Sequence, residues 1–120
     1  LEVGQEWAFR LTANPTHRAQ YKGQKKIFAH VTAEQQVQWL LDRQEPMGVK
    51  LESSQGEPAF TVLNRDVKRF RRSEATVTLG IATFGGLLKV VDPALLRAAL
   101  VSGVGRGKAY GCGLLTLARP

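Results

Sequence analysis

Five of the twelve glycines in this 120-residue chain, Gly103, Gly105, Gly107, Gly111 and Gly113, crowd into one segment near its end. A stretch this rich in glycine reads as a loop whose backbone N–H groups come right up against a ligand, because no Cβ stands in the way. Arg106 and Lys108 lie inside it. Two cations among bare amides make the natural ligand an anion, phosphate foremost. A helix is predicted before the loop and a strand after it, and this order excludes two nucleotide-loop readings. A Walker A loop would need glycine where Ser102 stands and a hydroxyl where Ala109 stands. A dinucleotide fingerprint fails because Gly103-Val-Gly105 is followed by Arg106-Gly107-Lys108. The competing structural explanation is that the glycines only turn a helix back into an edge strand.

The distribution of charge says whose phosphate. Seventeen lysines and arginines against ten acids leave a net charge of +7. Arg65, Lys68, Arg69, Arg71 and Arg72 form one cluster, Arg18, Lys22, Lys25 and Lys26 a second, and Arg106 and Lys108 a third. Clustered cations are the electrostatic footprint of a polyanion. A well-solvated basic surface, or an edge strand guarded by charge, is the plainer alternative.

Along the chain, Trp7 to Ala13 alternates apolar and polar residues and predicts a half-buried strand, ended by Asn14-Pro15. Lys25 to Val31 is a second extended piece. Thr32-Ala-Glu-Gln35 is a capping box opening a helix with Val37, Leu40 and Leu41 on one face, Trp39 at its edge, and Pro46 and Gly48 as its stop. Val49 to Glu52 and Ala59 to Leu63 read as extended. Within Val67 to Phe84 a strand follows the basic tract, and Gly85-Gly86 is expected to be a bulge or tight turn. Asp92-Pro93 starts the second helix, which Ser102-Gly103 ends. Leu114 to Leu117 is the closing strand. The order predicts an α+β domain over residues 1–120, ferredoxin-like (β-α-β-β-α-β), with extra β-hairpin segments.

Little in the chain suggests catalysis. His17 is placed in a basic loop and His30 at the end of an extended piece. Neither has an Asp, Cys or second His at ligand spacing, so no metal site or cofactor is expected. Cys112 excludes an internal disulfide and reads as a small buried residue rather than a nucleophile. No apolar run reaches the roughly 20 residues of a membrane span, so no membrane partner is expected. The chain begins at Leu1 rather than Met and is expected to be part of a longer protein.

Three segments carry a resemblance. Phe9-Arg-Leu-Thr-Ala-Asn-Pro15, Phe84-Gly-Gly-Leu-Leu-Lys-Val-Val-Asp92 and Gly103-Val-Gly-Arg-Gly-Lys-Ala-Tyr-Gly-Cys-Gly-Leu-Leu-Thr-Leu117, in that order, resemble the C-terminal half of the CasE family, the CRISPR RNA-processing endoribonucleases of type I-E systems within the RAMP superfamily. The resemblance implies two tandem ferredoxin-like domains, with this chain as the second. It implies a cytoplasmic prokaryotic protein of antiviral defence that binds the stem-loop of the precursor CRISPR repeat and cuts at its 3′ base without a metal. The ribose 2′-OH would attack the adjacent phosphate. The implied partners are repeat RNA, the N-terminal domain and other subunits of the type I-E surveillance complex, Cascade. The family's catalytic histidine and tyrosine belong to the first domain, so His17, His30, Tyr21 and Tyr110 inherit no catalytic role. Arg65, Lys68, Arg69, Arg71, Arg72, Gly103, Gly105, Arg106, Gly107, Lys108, Gly111 and Gly113 are the expected RNA contacts. The rival readings are a non-catalytic RNA-coating subunit and a small-anion or nucleotide-binding regulatory domain.

Overall fold

The computed structural model describes residues 1–21, 24–29, 32–105 and 112–120; at 17–21, 24–29, 70, 77 and 78 it describes the backbone alone. Among the described residues ten elements follow one another: β1 (Glu6–Ala13), β2 (Thr16–Tyr21), β3 (Gln24–Ala29), α1 (Ala33–Leu41), α2 (Gln44–Met47), β4 (Val49–Lys50), β5 (Phe60–Arg72), β6 (Ala75–Val90), α3 (Pro93–Ser102) and β7 (Leu114–Ala118). The lateral order β5-β6-β1-β7, antiparallel throughout, with α1 and α3 as the two crossovers, is the ferredoxin-like plan. Three insertions decorate it: the β2–β3 hairpin, the short α2, and β4, which adds to β6 near Val90.

Strand alternation decides which face is covered. Phe9, Leu11 and Ala13 of β1 sit opposite Gly86, Phe84 and Ala82 of β6, and all but the glycine are in the buried core. Leu115 of β7 continues this face, and Trp39, Leu40 and Leu96 close it from the helices. Phe84 is the hub, with Phe60 edge-on at 5.8 Å and Trp39 stacked at 6.3 Å. The opposite face is polar at its centre, where the hydroxyls of Thr12 and Thr83 meet at 3.0 Å.

The helix starts behave as their sequences require. Gln35 N donates to Thr32 Oγ1 while Thr32 N donates to the Gln35 side chain. Asp92 Oδ1 accepts from Ala94 N and Leu95 N, with Pro93 in the first turn.

Several local expectations differ from what is found. The first helix breaks at Asp42–Arg43, and Pro46 lies inside α2, whose single turn needs no amide from it. Gly48 ends α2 at φ +71°, where a Cβ would strike Asp92 O and stand 2.8 Å from Leu95 Cβ. His17 lies in β2 rather than in a loop; His30 falls outside the described residues. Trp39 is a core residue, 3% exposed, instead of lying at the edge of the helix's apolar face.

The largest difference lies in the central hairpin. The pieces expected over 59–63 and 67–84 are one continuous β5–β6 ladder, and β6 runs straight through Gly85-Gly86. The irregularity sits on the partner strand, between Val62 and Asn64. Close approach explains Gly86, where a Cβ would strike Ala59 O and stand 2.5 Å from Phe60 Cα; at Gly85 a Cβ would meet only the tip of the exposed Leu63 side chain, which can swing aside. Gly86→Ala should therefore cost ~1–3 kcal/mol by overpacking. Urea unfolding with an unchanged m-value and a lower midpoint checks this; a midpoint equal to the wild type would refute it.

Candidate nucleic-acid interface

The basic tract lies on β5. Beyond the Ala13–Ala82 pair β1 has ended, and β5 and β6 stay paired with each other from Arg65–Ala82 to Arg72–Ala75, with Gln36 of α1 beside Arg65, Asp66 and Val67 and with β3 close to β6. Seven residue steps carry this hairpin roughly 23 Å past the sheet. A two-residue turn closes it, with Ser73 at φ +56°. Arg65, Lys68, Arg69, Arg71 and Arg72 are all exposed. By strand alternation Arg65, Arg69 and Arg71 continue the helix-covered face, with Lys68 and Arg72 on the other. The hairpin thus offers cations on two sides.

The glycine segment starts from a fixed base. Gly103 N donates to Ala99 O at 2.9 Å, Val104 N to Gly113 O at 2.8 Å, and Gly113 N to Thr12 O at 2.6 Å. The last two bonds tie the two ends of the segment to each other and to β1. Gly103 and Gly113 therefore spend their amides inside the protein, closing the loop's base rather than presenting donors to a ligand. Gly105, at φ +80°, rests against the Trp39 ring. Arg106, Gly107, Lys108 and Gly111 lie outside the described residues.

Sheet register brings these features together. Leu114, which opens β7, pairs with Thr12, one residue from the Ala13–Ala82 pair at which the hairpin leaves the sheet. The β2–β3 hairpin, carrying Arg18, Lys25 and Lys26, departs from the same end, immediately after Asn14-Pro15. Two basic hairpins far apart in sequence thus leave one end of one sheet, and the described ends of the glycine segment, Val104 and Gly113, lie there too. Glu2, Glu6, Glu52 and Asp92 belong to the other end, around Lys89 and Val90. The charge at Cys112 agrees with this convergence. Burial pushes its thiol up, and the Lys68 ammonium, acting from the hairpin onto the residue that follows the loop, pulls it partly back.

Sequence reasoning missed Arg43. Its guanidinium lies 4.0 Å over the Trp39 ring and donates from Nη1 to Trp39 O at 2.9 Å, beside Gly103, Val104 and Gly105. Burial lowers its pKa, with Asp42 opposing. The only signal was its place four residues after Trp39. Among the described residues no group of three His, Cys, Asp or Glu side chains could hold a metal ion, and no helix is long and apolar enough to cross a membrane.

Comparison with known proteins settles the family. A model described as CRISPR associated protein matches residues 1–119. The chain belongs to that family, as a CasE-family domain. The CasE match extends to the CRISPR-associated endoribonuclease Cse3 of Thermus thermophilus, 39% identical over 124 residues, spanning 98% of this chain and 58% of the relative. The structure of Thermus thermophilus Cse3 bound to an RNA representing a pre-cleavage complex superimposes with a TM-score of 0.85 at 38% identity, over 98% of this chain and 55% of that one. Cas6e from Escherichia coli K-12 follows, with a TM-score of 0.77 at 25% identity, over 100% and 63%. A chain of a CRISPR RNA-guided surveillance complex in a pre-nicking state gives 0.71 at 25%, over 99% and 55%. This CasE domain spans a little over half the length of these relatives.

Cys112, 5% exposed with its thiol pushed up, should be a poor nucleophile in the folded domain. Alkylation by a neutral iodoacetamide probe at pH 8 should be much slower than for the urea-unfolded chain and should accelerate only at higher pH. Equal rates in the two states would show that the thiol is open.

Proposed function

We propose that these 120 residues form the RNA-binding C-terminal domain of a CRISPR repeat endoribonuclease. Its ligand is the repeat stem-loop of precursor CRISPR RNA. The observation that carries this reading is the convergence of the basic β5–β6 hairpin, the β2–β3 hairpin and the glycine loop on one end of the sheet. RNA-bound Cse3 among the relatives supports it.

On this reading Arg65, Lys68, Arg69, Arg71 and Arg72 grip the stem through its phosphates, and side chains that reach an opened helix end meet guanine edges. Two-sided presentation suits a hairpin that lies along a groove, because each face then meets one of the two flanking strands. Arg106, Lys108 and the remaining loop amides hold the backbone near the cut, above the base closed by Gly103 and Gly113. Attack of the ribose 2′-OH on the adjacent phosphate would use acid–base groups outside these residues, so this chain binds RNA and leaves it whole. The whole protein would act in the prokaryotic cytoplasm and join the other subunits of a type I-E surveillance complex.

Salt dependence tests the reading. If five phosphates are neutralised, log K against log salt should fall with a slope of about −4.5 for a duplex stem, less steep by about 0.9 for each hairpin cation replaced by alanine. The repeat stem-loop should also out-compete an unrelated stem-loop. A slope unmoved by the five substitutions, or indifference between the two RNAs, would overturn the assignment. Robust cleavage by this chain would overturn the placement of the acid–base groups.

A further inference from the structure

A groove between α2 and α3 carries an arginine in its wall. The two helices meet at Gly48, whose O accepts from Val91 N and Asp92 N at 2.8 and 2.9 Å. From there the groove follows α3 past Leu95 and Ala98 to Gly103, and it encloses about 310 Å³. Met47 and Val104, 3% and 6% exposed, lie deepest in its lining, and Pro46 faces α3 across it. The α3 side is apolar and open. Leu95 is 41% exposed, and Arg97 is the one charged residue among the ten of this helix. A helix apolar all round is ordinarily covered, and an exposed apolar patch marks a contact surface.

Arg43 says what the groove wants. Its guanidinium packs 4.0 Å over Trp39 and gives one of its five N–H donors to Trp39 O. Among the described residues no other acceptor takes the remaining donors, and no carboxylate is in ion-pair contact with them. Asp42, the adjacent acid, accepts from Gln38 Nε2 at 2.7 Å instead. Burial lowers the Arg43 pKa, and Asp42 offsets that only in part. A half-buried cation without a counter-ion is costly, and a carboxylate brought into the groove relieves the cost with charge-assisted hydrogen bonds. An RNA phosphate fits less well. Aliphatic walls give a nucleic-acid backbone no polar partners, and the basic hairpins that suit it are built on other elements.

We infer that the α2–α3 groove docks a segment of another protein chain, which lays aliphatic side chains against Met47, Leu95 and Val104 and brings one carboxylate to Arg43. Charge complementarity names the partner's chemistry: an aliphatic segment with a single acid. The site does not depend on the RNA-binding reading. Groove and basic hairpins use different residues, so both ligands can be held at once.

The probe is a phage-displayed library of random twelve-residue peptides selected on the wild-type chain. Enriched peptides should combine Leu, Ile, Val or Met with one Asp or Glu, and on binding should move the amide shifts of Leu95, Ala98 and Val104, which locates the site without any variant. Changing the peptide's acid to its amide should weaken binding about tenfold, and Arg43→Gln, corrected for its folded fraction, should do the same. The two changes together should cost no more than either alone, because they remove one pairing. Ala98→Gln, which fills the groove without altering charge, should lose the peptide and hold the repeat stem-loop as tightly as the wild type. Saturating stem-loop should leave the peptide bound. No enrichment, shifts elsewhere, fully additive losses or displacement by RNA would each refute the docking site, the last by assigning the groove to RNA. Self-association of the wild-type chain that Ala98→Gln abolishes would make a second copy the occupant and refute a separate partner. A chain that selects such peptides and holds no stem-loop would overturn the RNA reading alone.

Discussion

The central strand is the constraint from which the rest follows. β1 is paired on both sides, with β6 from Glu6–Lys89 to Ala13–Ala82 and with β7 from Ala8–Ala118 to Thr12–Leu114. Its inward residues Phe9, Leu11 and Ala13 are buried beneath two helices, so a slip of one residue would turn that set to the polar face. Register is therefore fixed by burial. Once it is fixed, the carboxyl end of β1 gathers the exit of the long hairpin, the close of the glycine loop and the start of the β2–β3 insertion. On the proposed reading, the binding chemistry sits at this end of the sheet.

The long hairpin is the costly part of this arrangement. It reaches past the end of β1 and holds five cations within eight residues. Same-face cations two residues apart stand about 7 Å from each other, within a Debye length of ~8 Å at physiological salt, so their repulsion is only partly screened. A polyanion relieves it. Charge also guards the bare strand edges against pairing with another chain. On the proposed reading, protection of an edge and attraction of phosphate are served by the same side chains.

What could be read beforehand followed the physics of locality. Helix starts were legible because Thr32 with Gln35 and Asp92 with Pro93 act within one turn. The strands of the sheet were legible from alternation, and the ferredoxin-like plan from their order. Gly85-Gly86 misled because the reason for glycine there, the close passage of Ala59 and Phe60, is a contact across the sheet. His17 misled in the same way, its strand partner Phe28 lying well along the chain. Within the site, the basic tract and the glycine loop stood out by composition alone. The inward use of the Gly103 and Gly113 amides did not, since their acceptors come from α3 and β1. Nor did Trp39 beneath Gly105, a contact between residues remote in sequence.

Amide chemical-shift mapping during titration of the chain with its repeat stem-loop tests the central claim most directly. The account predicts that perturbations cluster on residues 65–72 and their partners in 75–82, and around Gly105 and Cys112 at the base of the loop, while the opposite end near Glu6, Glu52 and Asp92 stays still. Perturbations centred on that acidic end, or spread evenly over the molecule, would contradict it.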